Sequence, residues 1–280
     1  MPPGNRIEFS LQIDSASASS AADILSSKAG LSKTKIKDAM SKGAVWVGRK
    51  GKTFRLRKAT AVLKKGDRIE LYYDEDLLSR IPPEPMLISD RVHYTVWHKP
   101  AGLMSQGTQY GDHCSILRLT EKFFSMKREV YLVHRLDRET EGLMLIAHTK
   151  EAATRLSELF REHQVIKKYS LQVRGDLTGN GLSGRINFPI NGKPALTEYE
   201  VISYDQSKNL SNLSVLIKSG RTHQIRRHFE EIGHPVIGDP RYGIGNKNVE
   251  GMKLTASYLG FQCPFEKRFV EFDLQSAGRP

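Results

Sequence analysis

HRLDRETEGLMLIA, residues 134–147, joins a charged turn directly to an apolar strand. The run Leu143–Ala147 is continuously apolar, which is typical of a buried strand. Asp137 lies between Arg135 and Arg138, and nearby positive charge favours the ionised form of a carboxylate. We therefore predict that the turn presents an ionised Asp137 at the edge of a sheet, where it suits nucleophilic or base chemistry. The alternative is that Asp137 only neutralises its arginine neighbours in a loop.

A second dense segment, KSGRTHQIRRHFEEIGHPVIGDPRYG, spans Lys218–Gly243. Its pattern predicts a helix over residues 223–232, with Thr222 as the N-cap. Gly233 is expected to end this helix in the left-handed conformation that glycine tolerates. The segment combines basic, polar and turn residues, so we expect it to face the same chemistry as the HRLD turn.

Two further motifs, HKPAGL (His98–Leu103) and KKYSLQV (Lys167–Val173), complete a series along the chain. Its order, KPAGL, HRLD, KKY and GRTHQIR, closely resembles that of the RluA-type family of pseudouridine synthases over about residues 90–275. Four separate motifs in one order rarely coincide by chance. The resemblance implies an enzyme that isomerises uridine in structured RNA. It implies no cofactor, because uracil is detached from the ribose and rejoined through carbon 5 without net redox change.

The resemblance also implies roles for individual residues. Asp137 would be the catalytic carboxylate, and Arg226 would form an ion pair with it. Tyr169 would stack on the pyrimidine extruded from the RNA. Arg135 would enter the stack that the flipped nucleotide vacates, since its planar guanidinium can stack and donate hydrogen bonds together. Attack on the anomeric carbon, addition to the uracil ring and removal of a ribose 2′ proton are three routes that the sequence leaves open.

The helix that carries Arg226 carries other polar side chains as well. Residues three and four apart share a helix face, so His223, Arg226 and Arg227 cannot all point the same way, and one arginine is expected to turn inward. His223 and Gln224 are expected to shape the loop and to bind the RNA backbone or each other. We predict RNA contacts near the catalytic carboxylate from His134, Arg135, Arg221, His223 and Gln224.

Two residues depart from the pattern of the family. Glu141 stands before the glycine of the HRLD segment, where a small serine-like residue is common. It would pair with Arg138 or a helix terminus, or it would repel phosphate. Leu171 replaces an alanine after the KKY motif and is expected to change the packing beneath Tyr169. Neither change alters the catalytic assignment.

The composition sets limits that agree with this prediction. The chain has 280 residues and a formal net charge of +12, which favours a polyanionic partner. No run approaches the roughly 18 to 20 apolar residues that span a bilayer, and the start, MPPGNRIEF, lacks the apolar core of a secretion signal. Cys114 and Cys263 are far apart, so neither a disulfide framework nor a cysteine zinc site is indicated. We expect a cytosolic monomer with no metal.

Much of the positive charge lies near the front of the chain. The range Ala21–Glu75 holds fourteen Lys or Arg against six Asp or Glu. The pattern predicts helices over 21–27 and 32–42, the second with Ser32 as its N-cap. A strand is expected over 44–47, a long basic hairpin over 48–58 and a closing strand over 66–73. This order resembles the S-four-like RNA-binding domain of ribosome-associated proteins. We predict phosphate contacts from Lys33, Lys37, Arg55 and Arg57; the alternative is a solvated basic face.

The domain plan follows from these segments. We expect an RNA-binding domain over residues 1–75, a linker over 76–90 and a catalytic domain over 91–280. In the linker, three prolines within four residues disfavour both helix and central strand. Downstream, strands are expected over 93–98, 142–147, 168–173, 197–204, 213–218 and 268–274, with a helix over 150–163 that Thr149 caps. Few long helices separate these strands, which predicts an α+β fold with a large, mainly antiparallel mixed sheet, as in the pseudouridine synthase fold.

Two other classes of function stay open. A metal-dependent hydrolase would use Asp137 and His134 with His223, His228 or His234, although no recognised ligand spacing such as HExxH occurs. A noncatalytic RNA-binding or ribosome-assembly protein would use the same basic surface. Among RNA substrates, the front segment favours ribosomal RNA, and transfer RNA is the alternative.

Overall fold

The protein is described by a computed structural model over residues 5–15 and 19–275. Its backbone contacts divide the chain into a front unit, residues 1–82 and 106–119, and a large unit, residues 83–105 and 120–280. The prediction placed residues 106–119 with the second domain, but they pack with the front unit. Helix α4 spans Ile116–Phe123. Within the described ranges, no helix is long and apolar enough to cross a membrane.

The front unit is a four-stranded antiparallel sheet with three helices. Buried side chains from the helices and the inner strands form its core, among them Leu25, Ile36, Met40, Val45 and Leu71. The strands, in the sheet order β1-β4-β2-β3, are β1 (Arg6–Gln12), β4 (Arg68–Asp74), β2 (Val45–Arg49) and β3 (Lys52–Arg55). The helices are α1 (Ala21–Ala29), α2 (Lys33–Ser41) and α3 (Glu75–Leu78).

Local signals place most of the front unit. Ser32 caps α2 as predicted, since its hydroxyl accepts a hydrogen bond from the backbone N–H of Lys35 at 3.3 Å. The hairpin between β2 and β3 is shorter than predicted, because Lys50 and Gly51 have φ of 50° and 75° and close a two-residue turn. Strand β1 was not predicted, although its alternating apolar residues, RIEFSLQ, carry the period of two that marks a strand.

The linker predicted over 76–90 is too long. Its first residues belong to α3, and its last residues form strand β5 (Met86–Asp90), which pairs with β6 (Tyr94–Lys99). Regular structure is absent only from residues 79–85, which contain the three prolines. Proline disfavours a central strand, but β5 follows the last proline and lies at the edge of its sheet.

The large unit is built on a ten-stranded mixed sheet. Its main path runs β10-β11-β12-β9-β13-β8-β6-β5, and β14 and β7 pair with β13 and β8. Every pairing is antiparallel except that between β13 and β8. The predicted α+β fold with a mainly antiparallel mixed sheet is confirmed. The further strands are β7 (Tyr131–Leu132), β8 (Glu141–Ala147), β9 (Ile166–Arg174), β10 (Ser183–Ile186), β11 (Thr197–Asp205), β12 (Leu210–Ile217), β13 (Leu254–Gln262) and β14 (Phe269–Asp273).

Two helices of the large unit matter for the site. Helix α5 (Lys150–Arg161) begins where predicted, with the Thr149 hydroxyl accepting a hydrogen bond from Ala152 N at 3.0 Å. Helix α6 (Gln224–Glu231) is followed by Gly233, whose φ of 82° confirms the predicted left-handed end.

Strand β13 was not predicted, although it lies at the centre of the sheet between β9 and β8. Its sequence, LTASYLGFQ, is rich in small residues and lacks the run of β-branched residues that marks a buried strand. The small residues allow a close approach. A Cβ added at Gly142 would lie 2.3 Å from the carbonyl oxygen of Ala256, so β8 and β13 meet only because Gly142 has no side chain.

Candidate active site

The HRLD turn lies between β7 and β8 and holds Asp137 by its backbone. Leu136 N donates to the Ser105 hydroxyl at 3.0 Å, and that hydroxyl donates to Leu136 O at 2.6 Å. Thr140 N donates to Asp137 O at 3.2 Å. The Asp137 side chain is 27% exposed. The turn therefore presents a carboxylate from a fixed backbone into an open cavity at the start of β8.

Arg226 is the inward arginine that the helix pattern required. Its side chain is 2% exposed, and its Nη1 donates to Asp137 Oδ2 at 3.0 Å. Arg227, the next residue, instead donates to Asn191 Oδ1 at 3.0 Å. The structure thus brings together Asp137 and Arg226, which are 89 residues apart in the chain.

Sequence reasoning missed the residue that holds Arg226 in place. Asp239 is fully buried and accepts hydrogen bonds from Arg226 Nε at 2.7 Å and from Nη2 at 2.8 Å. Its Oδ1 also accepts from the backbone N–H groups of Arg241 and Tyr242. The motif GDPRYG could have predicted this partner. A buried guanidinium needs carboxylate partners, and the aspartate of this turn can supply one.

The electrostatics of this triad favour fixed charges. Burial by itself would lower the pKa of Arg226, but its hydrogen bonds to Asp239 and Asp137 outweigh that effect and raise the pKa. Burial would likewise raise the pKa of Asp239, and the hydrogen bonds from Arg226 reverse the sign and lower it. Arg226 is therefore a permanent cation clamped between two carboxylates, and only one of these, Asp137, reaches the cavity.

His223 supports the site from the start of α6. It occupies the N-cap position with a left-handed φ of 55° and makes no capping hydrogen bond through its side chain, so the prediction of Thr222 as the cap is wrong. Its Nδ1 lies 3.1 Å from the Tyr242 hydroxyl, and its Nε2 lies 3.7 Å from Asp137 Oδ2. Burial lowers the pKa of His223, with Asp137 opposing the shift. A neutral imidazole beside Asp137 is the expected state at pH 7.

Gln224 shapes the turn before α6 through its side-chain amide, and its contact with RNA stays a prediction. The residue is buried, with 3% of its surface exposed. The amide oxygen accepts from Ser219 Oγ and Arg221 N, and the amide nitrogen donates to Leu196 O and Thr197 Oγ1. The two bonds to the amide oxygen close the turn before α6, and the two from the amide nitrogen tie it to Leu196 and Thr197. No donor or acceptor of the amide is left for a ligand.

Tyr169 enters the same cavity from β9. It pairs across the sheet with Val215 of β12 and Ala256 of β13. Burial, together with the nearby charge of Asp137, raises the pKa of Tyr169, so the phenol stays neutral. A neutral ring held by two neighbouring strands is suited to stacking, and the stacking role itself stays a prediction.

The cavity brings most of the predicted site residues together. Its floor includes the buried side chains of Ile217 and Leu254. Arg135, which is exposed, and Arg221, whose Nε donates to Pro194 O at 3.3 Å, also line it. An apolar floor with a carboxylate and cationic walls fits a flat, uncharged heterocycle attached to a phosphate chain. The lining residues that were predicted are Arg135, Asp137, Tyr169, Arg221, His223, Gln224 and Arg226.

The His134 side chain contacts other groups of the protein. Its ring stacks on Phe160 with the centroids 4.3 Å apart, and its Nε2 accepts a hydrogen bond from Leu145 N at 3.0 Å. Burial, with the charge of Lys167 adding, lowers the pKa of His134 to about 3, so the imidazole is neutral. These contacts anchor the turn on β8 and α5; a contact of His134 with RNA stays a prediction.

Of the histidines in the metal-site alternative, His223 lies beside Asp137, whereas His228 and His234 bond other groups. His228 uses both ring nitrogens, on Thr197 Oγ1 and Phe188 O, and His234 Nδ1 bonds Arg174 O. Over the described ranges, no group of three or more His, Cys, Asp or Glu side chains is placed to hold a metal. The hydrolase hypothesis therefore lacks its ligand set among these residues.

Glu141 makes neither predicted contact. It accepts a hydrogen bond from the Thr255 hydroxyl on β13 at 2.8 Å, while Arg138 pairs with Glu139. The parallel pairing of β8 with β13 places Thr255 opposite Glu141, which explains the partner.

Two arginines predicted to bind RNA, Arg55 and Arg57, have partners within the front unit, and their contact with RNA stays a prediction. Arg55 and Arg57 both form ion pairs with Asp112, and Arg55 Nη2 also donates to Thr108 O at 2.7 Å. Lys33 pairs with Asp23 at the surface. Lys37 is exposed and has no ion pair among the residues that the structure describes.

Lys99 ties the KPAGL motif to the HRLD turn. It is completely buried, and its Nζ donates to the carbonyl oxygens of Leu103 at 2.7 Å, Pro100 at 3.1 Å and Arg138 at 3.3 Å. Burial lowers its pKa from 10.5 to about 8, although the carboxylates of Glu139 and Asp137 oppose the shift. The motif lysine therefore holds the HRLD turn against the KPAGL segment.

The replacement Lys99→Met tests this contact through the pH dependence of stability. Between about pH 8 and pH 10.5, the unfolded chain keeps the proton on Lys99 and the folded chain releases it, so wild-type stability rises with pH in this window. The variant lacks this dependence. We expect the free energy of unfolding of the wild type, minus that of the variant, to grow by roughly 1–3 kcal/mol across the window. Urea unfolding at both ends measures it, and a constant difference would contradict the shifted pKa.

Comparisons with known proteins agree with this geometry. The family model described as RNA pseudouridylate synthase matches residues 93–231. The chain is 32% identical to an RNA pseudouridine synthase of Aquifex aeolicus, over 87% of this chain and 85% of that protein. It is 33% identical to the dual-specificity RNA pseudouridine synthase RluA of Pasteurella multocida, over 72% and 99%.

Two further matches bear on substrate and fold. The ribosomal large subunit pseudouridine synthase D of Buchnera aphidicola is 31% identical, over 74% of this chain and 75% of that protein. The structure of human RNA pseudouridylate synthase domain containing 1 superposes with a TM-score of 0.57 at 23% identity, covering 69% of this chain and 85% of that one. Because the identity is low, the similarity to the human structure supports the fold alone.

Proposed function

Because the chain belongs to the RNA pseudouridine synthase family and is therefore an RNA-modifying isomerase, we propose that it converts uridines of ribosomal RNA through Asp137. The observation that carries the assignment is the pair of Asp137 with the buried Arg226, which share a cavity with Tyr169. The carboxylate is the only acidic side chain among the described residues that line this cavity.

One oxygen of Asp137 is available for the chemistry. Oδ2 accepts the hydrogen bond from Arg226 and faces His223, whereas no hydrogen bond to Oδ1 occurs within the described part of the chain. We assign Oδ1 as the reacting atom. It would attack the anomeric carbon, add to the uracil ring or take a ribose 2′ proton, and each route needs an ionised carboxylate that Arg226 holds in place.

The uridine must leave its stack before it reaches Asp137. Extrusion costs a few kcal/mol and is cheapest in loops and bulges. Tyr169, neutral and fixed on β9, would receive the face of the base, and Arg135, exposed beside the cavity, would fill the space left in the RNA. This division of roles supports structured RNA as the substrate.

Ribosomal RNA is the proposed substrate for two reasons. One relative is named for the large ribosomal subunit. The front unit also contains the two helices, the hairpin and the closing strand on which the resemblance to an S-four-like RNA-binding domain rests. We propose that the exposed face of α2, with Lys37, contacts RNA phosphates. Transfer RNA is the second candidate, and one relative is named as having dual specificity for RNA. Crosslinking the complex should attach RNA to α2, and crosslinks confined to the large unit would contradict its role.

The function is tested by mapping pseudouridine in defined transcripts. Purified protein is incubated with unmodified large-subunit ribosomal RNA and, separately, with a pool of unmodified transfer RNAs, without added metal or cofactor. We expect pseudouridine at a small number of positions in the ribosomal transcript. Product only in transfer RNA would overturn the substrate, and product in neither would overturn the proposal.

A further inference from the structure

A second cavity of about 610 Å³ opens beside the catalytic one in the large unit. The two share Arg135, Tyr169 and Arg221. The far wall of the second cavity is formed by Phe160 and a group of basic side chains. These are Arg161, His163 and Lys167. No acidic residue lines it among the residues described. The cavity is therefore continuous with the catalytic site and positively charged.

Lys167 is the unusual member of this lining. It is 7% exposed, and its Nζ makes one hydrogen bond, to Lys218 O at 3.2 Å. The Phe160 ring lies 6.0 Å away, and no carboxylate pairs with the ammonium within the described ranges. Burial lowers the pKa of Lys167, with no acidic group opposing the shift. Buried charges are normally paired, so an ammonium left in this state marks a place where an anion binds.

Neighbouring groups suit the same anion. His163 follows α5 with a left-handed φ of 57°, and its Nδ1 bonds Lys218 O at 2.8 Å. Lys167 and His163 thus meet at one carbonyl oxygen, which fixes both next to the cavity. Arg161 is held at the surface by Glu158 and Glu162, so it contributes less.

We propose that the second cavity binds a backbone phosphate of the RNA strand next to the target uridine, with Lys167 as its main contact. The proposal rests on the proposed function, because a strand with its uridine at Asp137 passes Tyr169 and Arg135, which both cavities share. Lys167 would donate to the phosphate oxygens, and Phe160 would support the adjoining sugar or base. The site would hold the strand in register while the base is extruded.

The variant Lys167→Met tests the proposal, with Lys168→Met as the matched control. Successive residues of β9 point to opposite faces of the sheet, and Lys168 is exposed, with its Nζ 5.3 Å from the Tyr258 ring. Binding to the large-subunit ribosomal transcript is measured over a range of KCl concentrations. We expect Lys167→Met to weaken binding about tenfold and to lower the slope of log affinity against log salt by about 0.7–0.9. Lys168→Met should change neither quantity.

Stability without RNA separates a binding role from a structural one. Methionine replaces an unpaired buried ammonium with an apolar stem, so the melting temperature of Lys167→Met should equal or exceed that of the wild type. A lower melting temperature, or failure to fold, would show that Lys167 is structural and overturn the proposal. An unchanged salt slope would also overturn it.

A free anion is the other source of the same chemistry. Inorganic phosphate is titrated against the wild type and Lys167→Met without RNA, and both melting temperatures are measured. If the cavity needs a whole RNA strand, phosphate should change the two melting temperatures by the same amount. A shift confined to the wild type, with no change in RNA binding, would assign the cavity to free phosphate instead. These measurements need no turnover. A wild type that binds as expected but forms no pseudouridine would refute the proposed function and leave this site standing.

Discussion

Replacing Asp137 with asparagine is expected to abolish pseudouridine formation, by at least about a thousandfold, while RNA affinity stays within a few fold of wild type. The change is nearly isosteric and removes only the charge. An amide can neither attack a carbon centre as a carboxylate does nor accept a proton from the ribose. Arg226 keeps its two bonds to Asp239, so the site keeps its shape.

Single-turnover rates on the ribosomal transcript measure this effect, and Glu139→Gln is the control. Glu139 lies two residues away, and its Oε2 is 3.9 Å from Arg226 Nη1, so it shares the electrostatic surroundings of Asp137. It does not line the catalytic cavity. We expect the control to retain activity within about tenfold. Turnover near wild type in Asp137→Asn would remove Asp137 from the mechanism and revive the noncatalytic hypothesis.

Replacing Arg226 with alanine is expected to lower both activity and stability, whereas Arg227→Ala should be mild in both. Loss of Arg226 leaves the fully buried Asp239 without its cation, which costs about 3–5 kcal/mol of unfolding free energy. It also releases Asp137 from its fixed position, and we expect a loss of activity of at least about a hundredfold. Arg226→Lys should be intermediate, because one ammonium cannot span two carboxylates.

The stability loss in Arg226→Ala should depend on pH with a definite sign. In the wild type, Arg226 lowers the pKa of Asp239, so its contribution to stability is fully present above the ordinary aspartate range and is lost only below that range, as pH falls through the lowered pKa. In the variant, burial raises that pKa against only the backbone hydrogen bonds from Arg241 and Tyr242. The penalty is then relieved by protonation as pH falls. The difference in unfolding free energy between the two proteins should therefore shrink from pH 7 towards pH 4, as urea unfolding would show. A larger activity loss in Arg227→Ala than in Arg226→Ala would mean that the wrong arginine is assigned.

Local patterns in the sequence determined much of this protein. The apolar run of β8, the caps at Ser32 and Thr149 and the end of α6 at Gly233 are set by neighbours a few residues apart, and all were predicted. The motif order also singled out Asp137, Tyr169 and Arg226, which the fold brings to one cavity, and their chemical roles stay predictions. The helix period alone required one inward arginine.

Tertiary structure alone decided which polar groups were free for function. Arg55 and Arg57 look like RNA ligands in sequence, but Asp112, more than fifty residues away, takes them. Gln224 looks available on a polar helix, but strand β11 and the turn before α6 use its whole amide. The partner of a charge is chosen by folding across long separations, since desolvation penalises every buried charge that lacks one. For the same reason the clamp from Asp239 came to light only when folding brought distant segments into contact, as did Lys167, which has no carboxylate partner among the described residues. Strand β13 was missed for another reason, since its small residues carry no clear strand pattern.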